Sequence, residues 1–373
     1  MLALAVKPGQ PGIFPVERPE PALTEDDEVK LQVLRVGICG TDREEVAGGR
    51  AKAPEGLADL VLGHELLGRV VEVGRTVSRV KPGDLAVFTV RRGCGQDLPC
   101  LMGRSDMCRT GRFRERGIWG LDGFQAEYVV DREAYIVRVP PELGEAGVLV
   151  EPLSVVEKAI DEAIHIQFAR LPDAQATPYW LYGRRCLVVG LGPVGLLGAM
   201  ALRLRNAEVW GLDIVGRETA RPAWLEAIGG HYIDGRGLSP ERAAAGLGRF
   251  DLVLEAAGVA QLSFNLAELI APGGVLVLTG LPGEERPLKI PAADLVRRLV
   301  LANLLLVGSV NAARDHYQLA VDDLVAATRR WGMARVGSLI THHYPVDRAI
   351  EALQAHQPGE IKAVVEWGSL GPG

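Results

Sequence analysis

The pattern of apolar and polar positions changes twice along the chain. From about Val29 to Val139, short β-branched runs are broken by Gly and Pro, which is typical of a compact, mostly antiparallel β domain. Between Glu151 and Ile164, apolar residues recur at the helical period. After Gly183, apolar strands of the buried type alternate with helical stretches. That alternation predicts an α/β chain with a doubly wound parallel sheet.

The predicted β domain is discontinuous in sequence. We assign residues 1–183 and 311–373 to it, because the C-terminal tail is expected to return to the first domain. Residues 184–310 form the predicted parallel-sheet domain. A chain of 373 residues is long enough to build both cores.

Composition narrows the class of protein. Hydrophobic residues make up 48% and the net charge is −6, as in ordinary globular proteins, and no apolar run is long enough to span a bilayer. Long runs of one charge are missing, so neither a nucleic-acid nor a membrane partner is expected. The start lacks the pattern of a signal peptide and the cysteine count is odd, so we expect reduced thiols and a cytoplasmic location. The cysteines are Cys39, Cys94, Cys100, Cys108 and Cys186.

A glycine-rich turn opens the parallel-sheet domain. Strand Cys186 to Val189 runs into a G-x-G-x-x-G turn and then into a helical stretch from Leu196 to Leu204. This context, more than the motif alone, is typical of a Rossmann dinucleotide-binding unit. A flexible turn between core elements is the alternative. The expected cofactor contacts are Gly190, Leu191, Gly192, Pro193, Val194 and Gly195.

Asp213 ends the second predicted strand, near the offset of about 20 residues where an acid binds the adenosine ribose. A carboxylate there repels a 2′-phosphate, so NAD is favoured, with NADP also considered because Arg217 follows closely. The alternative for Asp213 is a solvated strand end.

Thiol, imidazole and carboxylate groups recur in the first domain. Cys39, His64, Glu65 and Glu151 together make a ligand set well suited to Zn²⁺. Taken singly, each has an ordinary interpretation as a buried cysteine, a structural histidine or a surface acid.

These motifs carry a family resemblance. Cys39-Gly-Thr41-Asp42, Gly63-His64-Glu65, Lys81-Pro-Gly-Asp84 and the later glycines resemble the zinc-containing medium-chain alcohol dehydrogenases along nearly the whole chain. Within that family the chain is most similar to the archaeal-type glucose dehydrogenases. The stretches that carry this likeness are Arg91 to Cys94, Asp122 to Phe124, Glu151 to Leu153 with Glu157 and Lys158, and Val307 to Asn311.

The resemblance implies a GroES-like catalytic domain, a Rossmann domain and a catalytic zinc in the cleft between them. Cys39 and His64 would bind that zinc, with Glu65 and Glu151 binding directly or through water. The zinc would acidify a sugar hydroxyl, most simply that of glucose on the way to its lactone, and hydride would pass to NAD or NADP. Thr41 would begin the proton relay. The remaining expected contacts are Thr41, Glu115, Glu151 and Asn311 for substrate, and Thr279, Ser309 and Asn311 for cofactor.

A second cluster holds Cys94, Asp97, Cys100 and Cys108. The resemblance implies a structural zinc here, although the family usually has cysteine where this chain has Asp97. An oxygen ligand weakens a site otherwise built from thiolates. A reduced, metal-free lobe held by packing is therefore the alternative.

Other activities fit the same motifs. A sorbitol, threonine or general alcohol dehydrogenase shares the fold, and a zinc-free quinone-reductase-like or nucleotide-sensing protein is a further alternative. The expected partners are a small sugar or polyol and further copies of the chain in a homodimer or homotetramer.

Overall fold

The computed structural model describes residues 1–175, 179–237, 245–283 and 287–369. The chain forms two compact units, the first built from Met1–Ser154 and the chain from Asn311 onward, the second from Val155–Val310. The expected boundary after residue 310 coincides with this division. The expected boundary after residue 183 lies inside the second unit instead. One reason is that Gln167 bonds through Nε2 to the carbonyl of Gly273, at 2.8 Å, within that unit.

The strands are short and β-branched, as the apolar pattern predicts. They are β1 (Leu2–Val6), β2 (Phe14–Glu17), β3 (Glu28–Ile38), β4 (Leu60–Val61), β5 (Glu65–Val73), β6 (Leu85–Phe88), β7 (Arg91–Arg92), β8 (Arg114–Arg116), β9 (Gly120–Leu121), β10 (Tyr128–Arg132), β11 (Ile136–Val139), β12 (Arg185–Val189), β13 (Glu208–Asp213), β14 (His231–Asp234), β15 (Phe250–Glu255), β16 (Ile270–Leu278), β17 (Leu305–Gly308), β18 (Ile340–Pro345) and β19 (Lys362–Glu366).

The helices fall mainly in the second half of the chain. They are α1 (Gly40–Val46), α2 (Leu98–Leu101), α3 (Val150–Arg170), α4 (Pro172–Gln175), α5 (Pro193–Leu204), α6 (Ala220–Ala227), α7 (Ala260–Asn265), α8 (Ala292–Leu301), α9 (Arg314–Trp331), α10 (Met333–Gly337) and α11 (Ala349–Gln354). Short 3₁₀ segments lie at Ser105–Met107, Glu133–Tyr135, Pro141–Leu149, Leu266–Leu269 and Val346–Arg348. None of the helices in the described ranges is both long enough and apolar enough to span a bilayer.

The first unit is organised around β3. This strand pairs antiparallel with β5, β10 and β19 in a seven-stranded sheet. The unit also contains two three-stranded sheets, of order β2-β1-β4 and β7-β8-β9. Strand β19 comes from near the end of the chain and pairs with β3, so the tail contributes to this unit. The side chains of β3 are almost all buried, so the sheet forms the centre of the core.

The second unit is a parallel sheet of six strands in the order β14-β13-β12-β15-β16-β17. This is the doubly wound order, in which the chain starts in the middle and reverses direction beside the first strand. Strand β12 lies at that switch point, and its residues from Cys186 to Val189 are fully buried. The predicted fold class is therefore confirmed.

Candidate active site and dinucleotide site

The loop after β3 presents Cys39. This residue has an extended backbone and precedes α1, and its N–H donates to Asp42 Oδ2 at 2.8 Å. Thr41 Oγ1 lies 4.0 Å from Cys39 Sγ, so the two side chains face the same space. The expected relay hydroxyl is thus next to the expected ligand thiol.

His64 and Glu65 join Cys39 in one cluster. Ligand atoms of these three residues lie within 4.8 Å of one another, and both His64 and Glu65 are buried. Asp42 Oδ1 lies 3.4 Å from His64 Nδ1. A carboxylate on one ring nitrogen orients a histidine so that the other nitrogen is available to a metal.

Glu151 lies in the first turn of α3 and outside that three-residue group. The residue is 7% exposed, and burial raises the pKa of its carboxyl to about 7. His64 and Lys362 oppose this rise, while the Glu65 and Asp42 carboxylates add to it. The electrostatic neighbours of Glu151 are therefore the members of the cluster.

Lys362 is a residue of the site that the sequence analysis did not assign. Its side chain is 2% exposed. Lys362 Nζ donates to both oxygens of Glu65, at 2.6 and 2.7 Å, and to the carbonyl of Ile38 at 3.1 Å. The available signal was a lysine at the start of the apolar run Ala363 to Val365.

The donor set fits a zinc ion. A thiolate and an imidazole are ligands that Zn²⁺ prefers, and carboxylates complete such sets. Because Lys362 already bonds both oxygens of Glu65, Glu151 has the less engaged carboxylate. Among the expected ligands, Cys39, His64 and Glu65 are brought together, with Glu151 beside them in electrostatic reach.

The expected sugar contacts Glu115 and Asn311 are also brought together. Asn311 Nδ2 donates to Glu115 Oε1 at 2.7 Å, although 196 residues separate them. Arg91 Nε donates to the same oxygen at 2.9 Å, and Arg91 Nη2 lies 2.8 Å from it in an ion pair. Glu115 is 6% exposed, so it is not part of a solvated charged stretch.

The cysteine lobe forms a second cluster. Ligand atoms of Cys94, Asp97, Cys100 and Cys108 all lie within 4.8 Å of one another. Asp97 also caps α2, because its Oδ1 accepts from the N–H of Cys100 at 3.0 Å, and its Oδ2 accepts from Arg109 at 2.6 Å. These two bonds give Asp97 a structural role in the lobe, separate from the expected ligation.

In the second unit, the glycine-rich turn has the geometry that its sequence predicts. Gly190 has a φ of +86°, and a Cβ at Gly195 would lie 1.8 Å from the Gly190 carbonyl oxygen. A Cβ at Gly192 would meet no atom within 4 Å. Gly192 precedes α5, so open space lies at the first N–H groups of a helix, where phosphates bind.

Asp213 supports this turn from the end of β13. Its Oδ2 accepts from the N–H of Leu191 at 2.7 Å and its Oδ1 from Ile214 at 2.6 Å. The side chain is 10% exposed, so the alternative of a solvated strand end is wrong. Arg221 lies 3.7 Å from the carboxylate, whereas Arg217 is paired with Glu226.

The last expected cofactor residues lie at strand ends. Thr279 follows β16 and donates through Oγ1 to the carbonyl of Glu255 at 2.7 Å. Ser309 follows β17, and its hydroxyl is buried with no hydrogen-bond partner in the described part of the chain. Asn311 belongs to the first unit.

Comparisons with known proteins identify relatives over the full length. The alcohol dehydrogenase GroES-like domain matches residues 25–141, and the glucose dehydrogenase C-terminus matches residues 144–367. The glucose 1-dehydrogenase of Thermoproteus tenax is 40% identical, covering 98% of this chain and 99% of the relative. Glucose 1-dehydrogenase 2 of Vulcanisaeta moutnovskia is 41% identical over 87% of each chain.

One of the similar solved structures contains bound ligands. Glucose dehydrogenase of Haloferax mediterranei, solved with NADP, zinc and gluconolactone, has a TM-score of 0.87 and 31% sequence identity, covering 98% of this chain and 99% of that one. These matches confirm the expected resemblance and the pairing of a GroES-like with a Rossmann unit. The chain therefore belongs to the glucose dehydrogenase family of GroES-like alcohol dehydrogenases.

Proposed function

We propose that this chain is a zinc-dependent glucose 1-dehydrogenase that oxidises glucose to gluconolactone and reduces NAD or NADP. The observation that carries the proposal is that one unit holds both a zinc-type donor cluster and a buried carboxylate–amide pair suited to sugar hydroxyls. The family membership supports it, as does the solved relative bound to zinc, NADP and gluconolactone.

Each group of residues has a separate role in the proposed reaction. Cys39 and His64, with Glu65 or Glu151, would hold a zinc that supplies Lewis acidity toward the reacting hydroxyl. Thr41 offers the first hydroxyl for the departing proton, since it lies beside Cys39. Glu115 and Asn311 bind other hydroxyls and so orient C1 of the sugar. The Gly190 to Gly195 turn binds the pyrophosphate of the cofactor, whose nicotinamide accepts the hydride.

A substrate panel tests this function. Initial rates would be measured on aldoses, polyols and simple alcohols with NAD and with NADP. Glucose and its close epimers should be oxidised faster than sorbitol or ethanol, because oxidation at C1 of a pyranose gives a lactone directly. Faster oxidation of sorbitol or threonine than of every aldose would overturn the glucose assignment.

Metal analysis tests the zinc proposal separately. We propose a second zinc in the cysteine lobe, so wild type should hold close to two zinc ions per chain. Cys39→Ala should lose one zinc and its turnover while still binding dinucleotide, and Cys108→Ala should lose the other. Full activity of a metal-free Cys39→Ala protein would contradict the mechanism, and one zinc per chain with a harmless Cys108→Ala would leave the lobe metal-free.

We further propose that the protein is cytoplasmic and forms a homodimer or homotetramer. The described cysteines are all unbridged, in keeping with reduced thiols. The apolar side chains of Val296, Val300 and Leu301 are exposed on α8, and such a patch favours association. Light scattering at micromolar concentration should give a dimer or tetramer mass; a monomer would contradict the proposal.

A further inference from the structure

We propose that Arg91 is a positioning residue for the sugar, fixing the Glu115 carboxylate so that Oε1 is saturated by protein donors and Oε2 remains to accept substrate hydroxyls. This inference rests on the proposed function and adds to it a residue that acts on the sugar through Glu115.

Strand register places the two side chains. Arg91 on β7 and Glu115 on β8 are direct partners in an antiparallel pair. Directly opposed residues project to the same face of a sheet, at a distance that long side chains span easily. The pairing is therefore set by the backbone rather than by a flexible surface contact.

The hydrogen bonds converge on one oxygen. An arginine facing a carboxylate commonly gives one N–H to each oxygen. Here Arg91 Nε donates to Oε1, with Nη2 2.8 Å from the same oxygen, and Asn311 Nδ2 is a second donor to it. Within the described residues, no protein donor bonds Oε2. The carboxylate thus keeps one oxygen with its lone pairs available.

Arg91 is itself held in place. Its Nη1 donates to the carbonyl of Asp106 at 2.9 Å, and its guanidinium lies 4.2 Å from the centroid of the Phe113 ring. The side chain is 10% exposed. Because Nε, Nη1 and the face of the guanidinium are all engaged, the orientation of Glu115 is fixed before substrate arrives, which removes an ordering cost from binding.

Asn311 gains its orientation from the same arrangement. It has a left-handed backbone, with a φ of +62°, and its Oδ1 accepts from the N–H of Ala312 at 3.0 Å. With Nδ2 bonded to Glu115, the amide plane is defined at both ends. Loss of the Arg91 contact therefore loosens both expected sugar contacts together.

The test uses Arg91→Lys, which keeps the charge but loses the fork and the ring contact. We expect KM for glucose to rise about tenfold, the equivalent of one charge-assisted hydrogen bond, with kcat within about twofold. Dinucleotide affinity should not change. Arg114→Lys is the matched control, since Arg114 is exposed on the same strand as Glu115.

A deoxyglucose series separates positioning from a general structural role. In wild type, the deoxyglucose lacking the hydroxyl that meets Glu115 should lose at least tenfold in kcat/KM relative to glucose. In Arg91→Lys that penalty should shrink, and adding Arg91→Lys to Glu115→Gln should raise KM no further. If Arg91→Lys does not bind dinucleotide, Phe113→Leu takes its place, and an intermediate loss of the penalty is expected.

The experiments distinguish failure of the Arg91 proposal from failure of the proposed function. If wild type oxidises glucose but Arg91→Lys, or Phe113→Leu in its place, leaves KM and the deoxyglucose penalty unchanged, the role of Arg91 is overturned and the proposed function stands. If wild type oxidises no aldose, the proposed function itself is overturned, and this inference falls with it.

Discussion

At the scale of single residues, the first unit is organised by charges paired over long sequence distances. Lys362 and Glu65 are 297 residues apart, yet both side chains are nearly inaccessible to solvent. Burying two charges is costly unless each is fully bonded, and Lys362 meets that condition through Glu65 and the carbonyl of Ile38. Gly37 makes room for this pair, because a Cβ there would lie 1.9 Å from Glu65 Oε2.

Removing the ammonium leaves the carboxylate of Glu65 buried without its cation. Lys362→Met should therefore lower the free energy of unfolding by about 3–5 kcal/mol, measured by denaturant titration. Lys81→Met, at an exposed position, is the control and should change stability by less than about 0.5 kcal/mol. Equal stability of the two variants would show that Glu65 finds another partner.

Asp213 is expected to set the preference between the two nicotinamide cofactors. Asp213→Asn removes a charge that repels a 2′-phosphate, so the ratio of kcat/KM for NADP over NAD should rise roughly tenfold. Asp234→Asn is a matched control, since Asp234 is the register partner of Asp213 at the end of β14. A wild type that strongly prefers NADP would mean that Arg221 or another base outweighs the carboxylate.

The buried ion pairs of Asp131 should make the stability of the fold sensitive to acid. Burial raises its pKa, but Arg116 and Arg92 bind the carboxylate and hold the pKa far below its usual value. The stabilisation is therefore complete above the unfolded pKa of about 3.9 and is lost as pH falls toward the folded pKa. In denaturant titrations, Asp131→Asn should be less stable than wild type near neutral pH, and its stability should fall less between pH 5 and 3. Parallel pH curves would contradict this assignment.

At the scale of elements, the turn between β12 and α5 contains one glycine required for packing, Gly195, and one that faces open space, Gly192. Gly195→Ala would force a Cβ against the Gly190 carbonyl, so both stability and dinucleotide affinity should fall, stability by about 1–3 kcal/mol. Gly192→Ala meets only open space and should fold as stably as wild type while binding dinucleotide more weakly. Fluorescence titration with NADH and thermal unfolding measure the two effects. Unchanged affinity in Gly192→Ala would show that no phosphate approaches this residue.

At the scale of the whole molecule, local sequence signals predicted the fold better than they predicted the residues that hold the site's carboxylates in place. The G-x-G-x-x-G turn and the strand–helix alternation are local signals. The sheet order confirms the alternation, and the turn has the tight glycine geometry that its sequence predicts. Arg91 and Lys362 were not assigned their roles, because their partners are fixed by strand register and by pairing across hundreds of residues. The expected boundary after residue 183 differs from the division after Ser154, since a helical period does not reveal which core α3 joins.

The pairing of β3 with β19 has a consequence for how the protein is made. Lys362 bonds the carbonyl of Ile38, which a ribosome adds 324 residues earlier. At about 5–20 residues per second, the nascent β3 waits roughly 15–65 s for its last neighbour. The second unit is continuous, so it can fold on the ribosome while the first still exposes an unpaired strand edge. Translation speed and chaperone supply should therefore limit the yield of metal-competent protein more than the yield of dinucleotide-binding protein.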